Sequence, residues 1–359
     1  MRGCFRNLFL YDVAEAIRLD VLGSPGAGTA VPPSNSPPPV PQHLRFERPP
    51  LAETLEAFTL QSGEHVEAKA KYYDYGVASI ELQLSFECDW STIVSQFARW
   101  SGAAELENRA AELLRAALKR ISPALVRPVD TWLREDYSII QLQEVRDESG
   151  HALSASELLA QHARELAQLV RAESVPLSDA ERQEVLQSSI SYAQSDLLIV
   201  GWSGALVYGN SEDVVSTIQI LEYANTQLLE FRYYDSLLTN LLSTVYRSLE
   251  RKGGLFSAWR LSREAAHLNT IRLDVMELAE RIDNAIKFLS DMYYARLYGL
   301  VAAKVGVPDY RRLVDQKLRT AGELYRFMVD QFNQSRSFIL EAAVVIILVI
   351  ELFFLFNGK

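Results

Sequence analysis

The residues best suited to chemistry lie close together in one stretch, ILEYANTQLLEFRYYDSLL, at positions 220–238. Its charged and amide-bearing members are Glu222, Asn225, Gln227, Glu230, Arg232 and Asp235. Carboxylates can transfer protons or bind cations, and amides can orient a polar ligand. We call these six residues the polar helix cluster, and we assign a catalytic role to none of them.

Asp235 occupies a position where the heptad spacing of its neighbours requires an apolar side chain. A carboxylate there is expected to lose water and to need a partner, and Arg232, one turn earlier, is the nearest cation. The preferred interpretation is a buried polar pair that fixes the register of the helix. The alternative is a binding or catalytic carboxylate.

The other reactive side chains form no recognisable site. The five histidines are scattered and the two cysteines are isolated, so the sequence predicts neither a metal site nor a cofactor. It contains no serine-hydrolase, P-loop, zinc-protease or dinucleotide-binding motif. The formal net charge of -10 opposes direct nucleic-acid binding, which needs clustered lysine and arginine.

The first 210 residues are predicted to form an α/β domain with a mixed or antiparallel sheet. Apolar and polar residues alternate over 65–72 and again over 80–86, which predicts a hairpin with one buried and one solvent-facing side. Asp89 is expected to cap a helix. Positions 23–50 carry nine of the thirteen prolines, which predicts an extended loop outside the core.

After Asn210 the apolar residues recur at alternating steps of three and four. Heptad spacing sustained over this length predicts long helices that pack as a bundle or as an antiparallel coiled-coil hairpin. We therefore expect residues 211–337 to form a helical stalk that also mediates self-association.

The stretch 338–356, FILEAAVVIILVIELFFLF, is apolar except for Glu341 and Glu351. A helix of this length spans roughly 28 Å, close to the hydrocarbon thickness of a bilayer, so it predicts one transmembrane helix. Glu341 is expected at the interface. Glu351 is expected either near the far headgroups or, as a neutral acid, hydrogen-bonded to a neighbouring helix.

The start of the chain lacks the apolar core of a signal peptide, so most of the chain is expected to stay in the cytoplasm. The expected location is a membrane, crossed once at the C-terminus. This is the bacterial inner membrane or, in a eukaryote, the mitochondrial inner membrane with the bulk of the chain on the matrix side.

Short motifs near the C-terminus and in one strand turn are similar to those of a known family. They are the pairs Leu340-Glu341 and Ile350-Glu351, the polar segment Asn333–Ser337 and the turn Tyr73–Val77. In these motifs the chain resembles the "required for meiotic nuclear division"/YagE family, although Ala342 stands where that family has tryptophan. The resemblance implies an α/β domain, a helical stalk and one C-terminal span. It also implies a role in organellar translation for mitochondrial members, without an established enzymatic activity.

The sequence thus predicts an α+β protein in which the α/β domain precedes a helical stalk and one transmembrane helix. The favoured function is a non-enzymatic, membrane-tethered scaffold or assembly factor whose partners are the lipid bilayer, a second copy and an unidentified protein. The alternative is a membrane-anchored enzyme or ligand-binding domain with a site near Asp235. A deep polar pocket would favour the alternative, and a filled interface between sheet and helix would favour the scaffold.

Overall fold

The computed structural model describes residues 1–22, 48–147, 149–209, 212–250, 257–284 and 292–357. The predicted proline-rich loop, 23–50, therefore lies outside the described residues except for positions 48–50.

Eight strands form one sheet in the described part of the chain. They are β1 (Arg2–Ile17), β2 (Leu51–Thr59), β3 (His65–Tyr72), β4 (Val77–Glu87), β5 (Leu125–Glu144), β6 (Ser189–Ile190), β7 (Leu197–Val200) and β8 (Gly204–Tyr208). Their order is β2-β3-β4-β1-β5-β8-β7-β6. Neighbours are antiparallel except β5 and β8, which are parallel. The predicted α+β class, with a mixed sheet ahead of a helical region, is confirmed.

Nine helices lie in the described part of the chain. They are α1 (Leu19–Leu22), α2 (Trp90–Ser101), α3 (Ala104–Ile121), α4 (Ala155–Arg171), α5 (Asp179–Gln187), α6 (Glu212–Glu250), α7 (Ser257–Asn284), α8 (Met292–Val305) and α9 (Val307–Asn357). Of these, α2, α4 and α5 begin at capping side chains. Asp89 caps α2 as predicted, because its carboxylate accepts a 2.8 Å hydrogen bond from the Thr92 N–H. Ser154 and Glu157 form a capping box at α4.

The apolar core lies against one face of the sheet. Alternate residues of β1, β3 and β4 point to this face, where α2, α3 and α4 cover them. Phe5 packs edge-on against Phe97, with ring centroids 5.2 Å apart, and stacks on Trp100 at 5.5 Å. Removing these rings from water supplies much of the driving force for docking the helices.

The opposite face of the sheet is covered as well, by the first part of α6, whose residues 220–231 are all buried. The prediction that one side of the hairpin faces solvent is therefore wrong for two residues. Glu81 is buried, and Lys71 is nearly buried. Alternation along a strand shows that two faces differ in polarity. It cannot show that a helix from a distant part of the chain covers the polar one.

The chain divides into two compact units. The first contains Met1–Tyr233 and Arg281–Tyr310, and the second contains Tyr234–Glu280 and Arg311–Lys359. Within the second unit, α6, α7 and α9 pack through a small apolar cluster that includes Leu242, Leu268, Ala321 and Met328. The predicted limits 1–210, 211–337 and 338–356 stay a prediction.

The predicted transmembrane stretch, 338–356, lies in the last part of α9, which is helical from Val307 to Asn357. None of the helices, over the residues described, combines the length and the hydropathy of a membrane crossing. The membrane span stays a prediction.

The turn between β3 and β4 offers a test of the fold. Gly76 has a φ of 97°, and a Cβ added there would lie 1.8 Å from the carbonyl oxygen of Ala14. We predict that Gly76→Ala lowers the free energy of unfolding by about 3–5 kcal/mol, because backbone strain and a clash with β1 add.

The matched control is Gly63→Ala. Gly63 has a similar φ of 95°, but nothing lies within 4 Å of its added Cβ. It should cost only about 1–2 kcal/mol in the same denaturant titration. Equal costs at the two glycines would contradict the close approach of this turn to β1.

Candidate functional site

The sheet face under α6 gathers charged side chains from three strands. The strand register places Arg6 opposite Gln83 and Lys69 opposite Glu81. Arg6 and Lys71 are therefore each one diagonal step from Glu81, within reach of long side chains. The helix α6 adds one further carboxylate, Glu222, to this group.

These charges form one continuous set of contacts, which we call the buried ion-pair chain: Arg6–Glu81–Lys71–Glu222. Arg6 pairs with Glu81, the Lys71 Nζ lies 3.3 Å from the Glu81 Oε2, and Lys71 also donates to Glu222. The side chains are 17% (Arg6), 5% (Glu81), 16% (Lys71) and 1% (Glu222) exposed. With so little water available, each charge depends on its partners.

The pKa values show that pairing outweighs burial. Burial alone lowers the pKa of Lys71, but the neighbouring Glu222 and Glu81 leave it raised. Burial alone raises the pKa of Glu81, but Lys71 and Arg6 hold it at about 2. Both groups therefore carry their charges at neutral pH, and neither is poised to exchange a proton there.

Neutral hydrogen bonds also join α6 to the β3–β4 turn of the sheet and to α8. The Tyr75 hydroxyl and the Thr226 Oγ1 are 2.8 Å apart, and the Tyr298 hydroxyl donates to the Gln227 Oε1. Tyr73 packs beside Tyr75 with ring centroids 5.4 Å apart. Burial raises the pKa of both of these tyrosines, so their phenols stay neutral.

The structure does not bring the polar helix cluster together as one site. Glu222 joins the ion-pair chain and Gln227 bonds to Tyr298, whereas the Asn225 amide donates to the Leu221 carbonyl of its own helix at 2.8 Å. Glu230 is buried. These four positions lie in the first unit, as does Arg232.

The expected pair between Arg232 and Asp235 is wrong. Arg232 pairs with Glu135 of β5, and Asp235 pairs with Lys317 within the second unit. The two side chains are three residues apart on one helix, but each meets a cation or carboxylate from another element. Sequence spacing identifies the nearest charge on the same helix. It could not identify the closer charges on β5 and α9, which only the fold brings near.

Lys71 and Glu81 were missed because they lie on strands whose polar side was predicted to face water, and no strand was predicted to include Arg6. One signal was present in the sequence. Lys69 and Lys71 alternate with small or apolar residues on one strand, and Glu81 follows on the next. Opposite charges on facing strands are expected to pair once the register of the hairpin is known.

Asp12 is a second buried acid on this face of the sheet, since it lies six residues along β1 from Arg6. Burial raises its pKa to about 7. Tyr233 of α6 lies close by, and its own pKa is raised by burial and then by the charges of Asp12 and Glu230. Asp12 is therefore the ionisable group on this face that changes charge near neutral pH.

Two further features separate this interface from a conventional active site. Among the residues that the structure describes, no group of three or more histidine, cysteine, aspartate or glutamate side chains could hold a metal ion. A cavity of about 650 Å³ exists elsewhere in the first unit, and none of the four residues of the ion-pair chain lines it. The cavity is thus separate from the ion-pair chain, whose helix residues 220–231 are all buried.

Comparison with known proteins finds one family and one curated relative. The family model described as "Uncharacterized protein MJ0711, N-terminal domain" matches residues 2–214. The uncharacterized protein MJ0711 of Methanocaldococcus jannaschii is 25% identical over 169 residues, which make up 47% of this chain and 52% of that protein. The match thus spans about half the length of the relative. No solved structure matches the chain.

This match corrects the predicted resemblance to the "required for meiotic nuclear division"/YagE family, which is wrong. The motifs behind that prediction are short, and local structure can account for one of them. In the turn Tyr73–Val77, the glycine is demanded by a positive φ and by the nearby backbone of β1. Such a turn can arise in any hairpin of this geometry.

The ion-pair chain generates a stability prediction. Lys71→Met should lower the free energy of unfolding by about 3–5 kcal/mol, because it leaves Glu222 buried without its cation. The double variant Lys71→Met/Glu222→Leu should recover most of that loss, since Glu81 keeps Arg6 and no uncompensated charge remains. A double-mutant cycle in denaturant measures the coupling. A double variant that is less stable than Lys71→Met would contradict the account.

Asp12 generates a pH prediction. Its pKa is about 7 in the folded chain and 3.8 as an unperturbed group, so its contribution to stability is full below about pH 4 and is lost as the pH rises through 7. Asp12→Asn should therefore gain about 1–4 kcal/mol of stability at pH 8 and little at pH 4. The control is Asp130→Asn, at an exposed position of β5, which should change neither value. A gain for Asp12→Asn that is equal at both pH values would contradict the burial of this acid.

Proposed function

We propose that this chain, which belongs to the MJ0711 N-terminal domain family, is a non-enzymatic scaffold tethered to a membrane by the end of α9. The first unit presents a rigid sheet domain, and the helices of the second unit connect it to the tether. The expected partners are the lipid bilayer, a second copy of the chain and a protein that the sheet domain holds near the membrane.

The observation that carries this proposal is the uncovered apolar surface of α9 between 340 and 353. Ten large apolar side chains are described there, and all of them are about half exposed or more. They are Leu340, Val344, Val345, Ile346, Ile347, Leu348, Val349, Ile350, Leu352 and Phe353. Positions 344–350 are consecutive, so the apolar surface runs all the way round the helix. A helix that is apolar on every side requires a core or a bilayer around it.

A membrane crossing by 338–356 is the arrangement that satisfies this requirement best. The backbone is helical through this segment, so its amide and carbonyl groups are paired internally, as a bilayer demands. Glu341 and Glu351, ten residues apart, bracket the most apolar part. The bulk of the chain then lies on the cytoplasmic or matrix side.

The interface under α6 supports a scaffold over an enzyme. Lys71 and Glu81 are paired and ionised, the phenols of Tyr73 and Tyr75 are neutral, and residues 220–231 of the helix are all buried. The alternative site near Asp235 is weakened in the same way, because Lys317 contacts that carboxylate and also donates to Thr239.

Self-association through the helical unit completes the proposal. Outside the apolar end of α9, the second unit also exposes Leu273, Met276, Leu313 and Phe327. Side chains of this kind on long helices can pack against a second copy in the manner of a coiled coil. A homo-oligomer would also bring Glu351 of one copy close to another helix within the bilayer.

The test is extraction of the full-length chain from membranes with alkaline carbonate. The wild-type chain should stay with the membrane pellet. The double variant Val345→Asp/Val349→Asp should be released, because each aspartate near the middle of a span costs about 2.5–3.5 kcal/mol on insertion scales.

The matched control likewise introduces two aspartates at exposed apolar positions of α9, but outside the tether, as Leu313→Asp/Phe327→Asp. This control should stay in the pellet. Release of the wild-type chain, or equal retention of both double variants, would contradict the membrane tether.

A further inference from the structure

A cavity of about 650 Å³ lies beside β7, β8 and the beginning of α8, and all of its lining residues belong to the first unit. This volume falls within the range of small-molecule sites, about 300–1,000 Å³. Four tyrosines contribute to its walls: Tyr192, Tyr208, Tyr293 and Tyr294. We call it the tyrosine cavity.

The arrangement of the rings restricts what can bind. Tyr192 and Tyr293 have ring centroids 5.0 Å apart with planes inclined by 55°, and Tyr293 meets Tyr294 at 5.4 Å and 69°. A flat ligand stacked between two rings needs them parallel and roughly 7 Å apart, twice a carbon–carbon contact distance. Inclined rings already in contact form a corner, which suits a compact, rounded group.

One fixed carboxylate stands beside this corner. Asp196 accepts hydrogen bonds from the backbone N–H groups of Tyr192, at 3.1 and 3.2 Å, and of Ala193, and the Tyr293 hydroxyl donates to it at 3.4 Å. These donors are all neutral. They hold the carboxylate in place beside the rings without cancelling its charge.

The other charged side chains of the cavity are placed differently. Glu144 is paired with Arg146, and Arg2 lies at the exposed start of β1. Because Arg2 is exposed, solvent can screen its charge. The corner formed by Tyr192, Tyr293 and Asp196 therefore combines the negative faces of aromatic rings with a fixed negative charge. Both features attract cations.

We propose that the tyrosine cavity binds an alkylammonium group, held by the rings of Tyr192 and Tyr293 and by the carboxylate of Asp196. The group belongs either to a free solute or to the headgroup of a lipid. This proposed binding site does not depend on the scaffold function or on the membrane tether, and each can be tested without the other.

The test uses the full-length chain in maltoside micelles, a detergent without an ammonium group, and choline as the probe. Calorimetric titration should show one site. The uncharged isostere 3,3-dimethylbutan-1-ol has the same shape, and it should bind at least about tenfold more weakly because it lacks the charge that the rings and the carboxylate recognise.

Substitutions locate the site. Asp196→Asn keeps an acceptor for the loop but removes the charge, and it should weaken choline binding about tenfold. Tyr192 is 74% exposed, so changing it threatens the fold little. Tyr192→Leu should weaken choline binding about fivefold. Tyr192→Phe keeps the aromatic ring and should bind choline like the wild type. Tyr246→Leu, at an exposed tyrosine of α6 outside the cavity, is the matched control and should bind like the wild type.

Two lipid additions distinguish the source of the group. If a headgroup enters the cavity, phosphatidylcholine in the micelles should compete with choline, and an equal amount of phosphatidylglycerol should not. If the site takes free solutes only, neither lipid should compete. Equal binding of choline and its neutral isostere, no measurable binding of choline, or unchanged choline affinity in Asp196→Asn would each overturn the proposal.

Discussion

Lys71 lies between two buried carboxylates, Glu81 on the sheet and Glu222 on α6, and the position of α6 depends on that arrangement. A buried charge without a partner is far more costly than one with a partner. If α6 slid or rotated by one residue, Glu222 would leave Lys71 and both would remain desolvated. The ion pairs therefore act less as a source of stability than as a restriction on where the helix can lie. Apolar packing of Leu10, Val77 and Leu229 around them adds stability with less geometric restriction.

The function that we propose depends on surfaces that α6 leaves open. In the interface under α6, Lys71 and Glu81 are ionised and paired, and Asp12 is a buried acid with a pKa of about 7. Two accessible features of the described residues support the proposal: the exposed apolar side chains near the end of α9 and the tyrosine cavity. The first requires a nonpolar environment, and the second offers a fixed negative charge among aromatic rings. Neither needs catalysis, and both fit a protein that holds other molecules in place.

The local structure could largely be predicted from sequence, because its signals are local. Alternation along β3 and β4, the Asp89 cap and the apolar period of α6 each depend on a few neighbouring residues. Strand order could not be predicted, because β1 pairs with β4 and with β5, far along the chain. The same limit applies to the site. The polar residues of α6 were found, but their partners Arg6, Lys71, Glu135 and Lys317 come from other elements, and only the assembled fold brings them together.

The most direct test of the central claim is native-state hydrogen exchange of the backbone amides at positions 221–231 of α6. If the ion-pair chain fixes this helix on the sheet, these amides should exchange only when the whole domain unfolds. Their free energies of opening should then equal the global free energy of unfolding and fall with it in denaturant. Exchange through local openings several kcal/mol below the global value would contradict the account, because it would mean that α6 leaves the sheet while the domain stays folded.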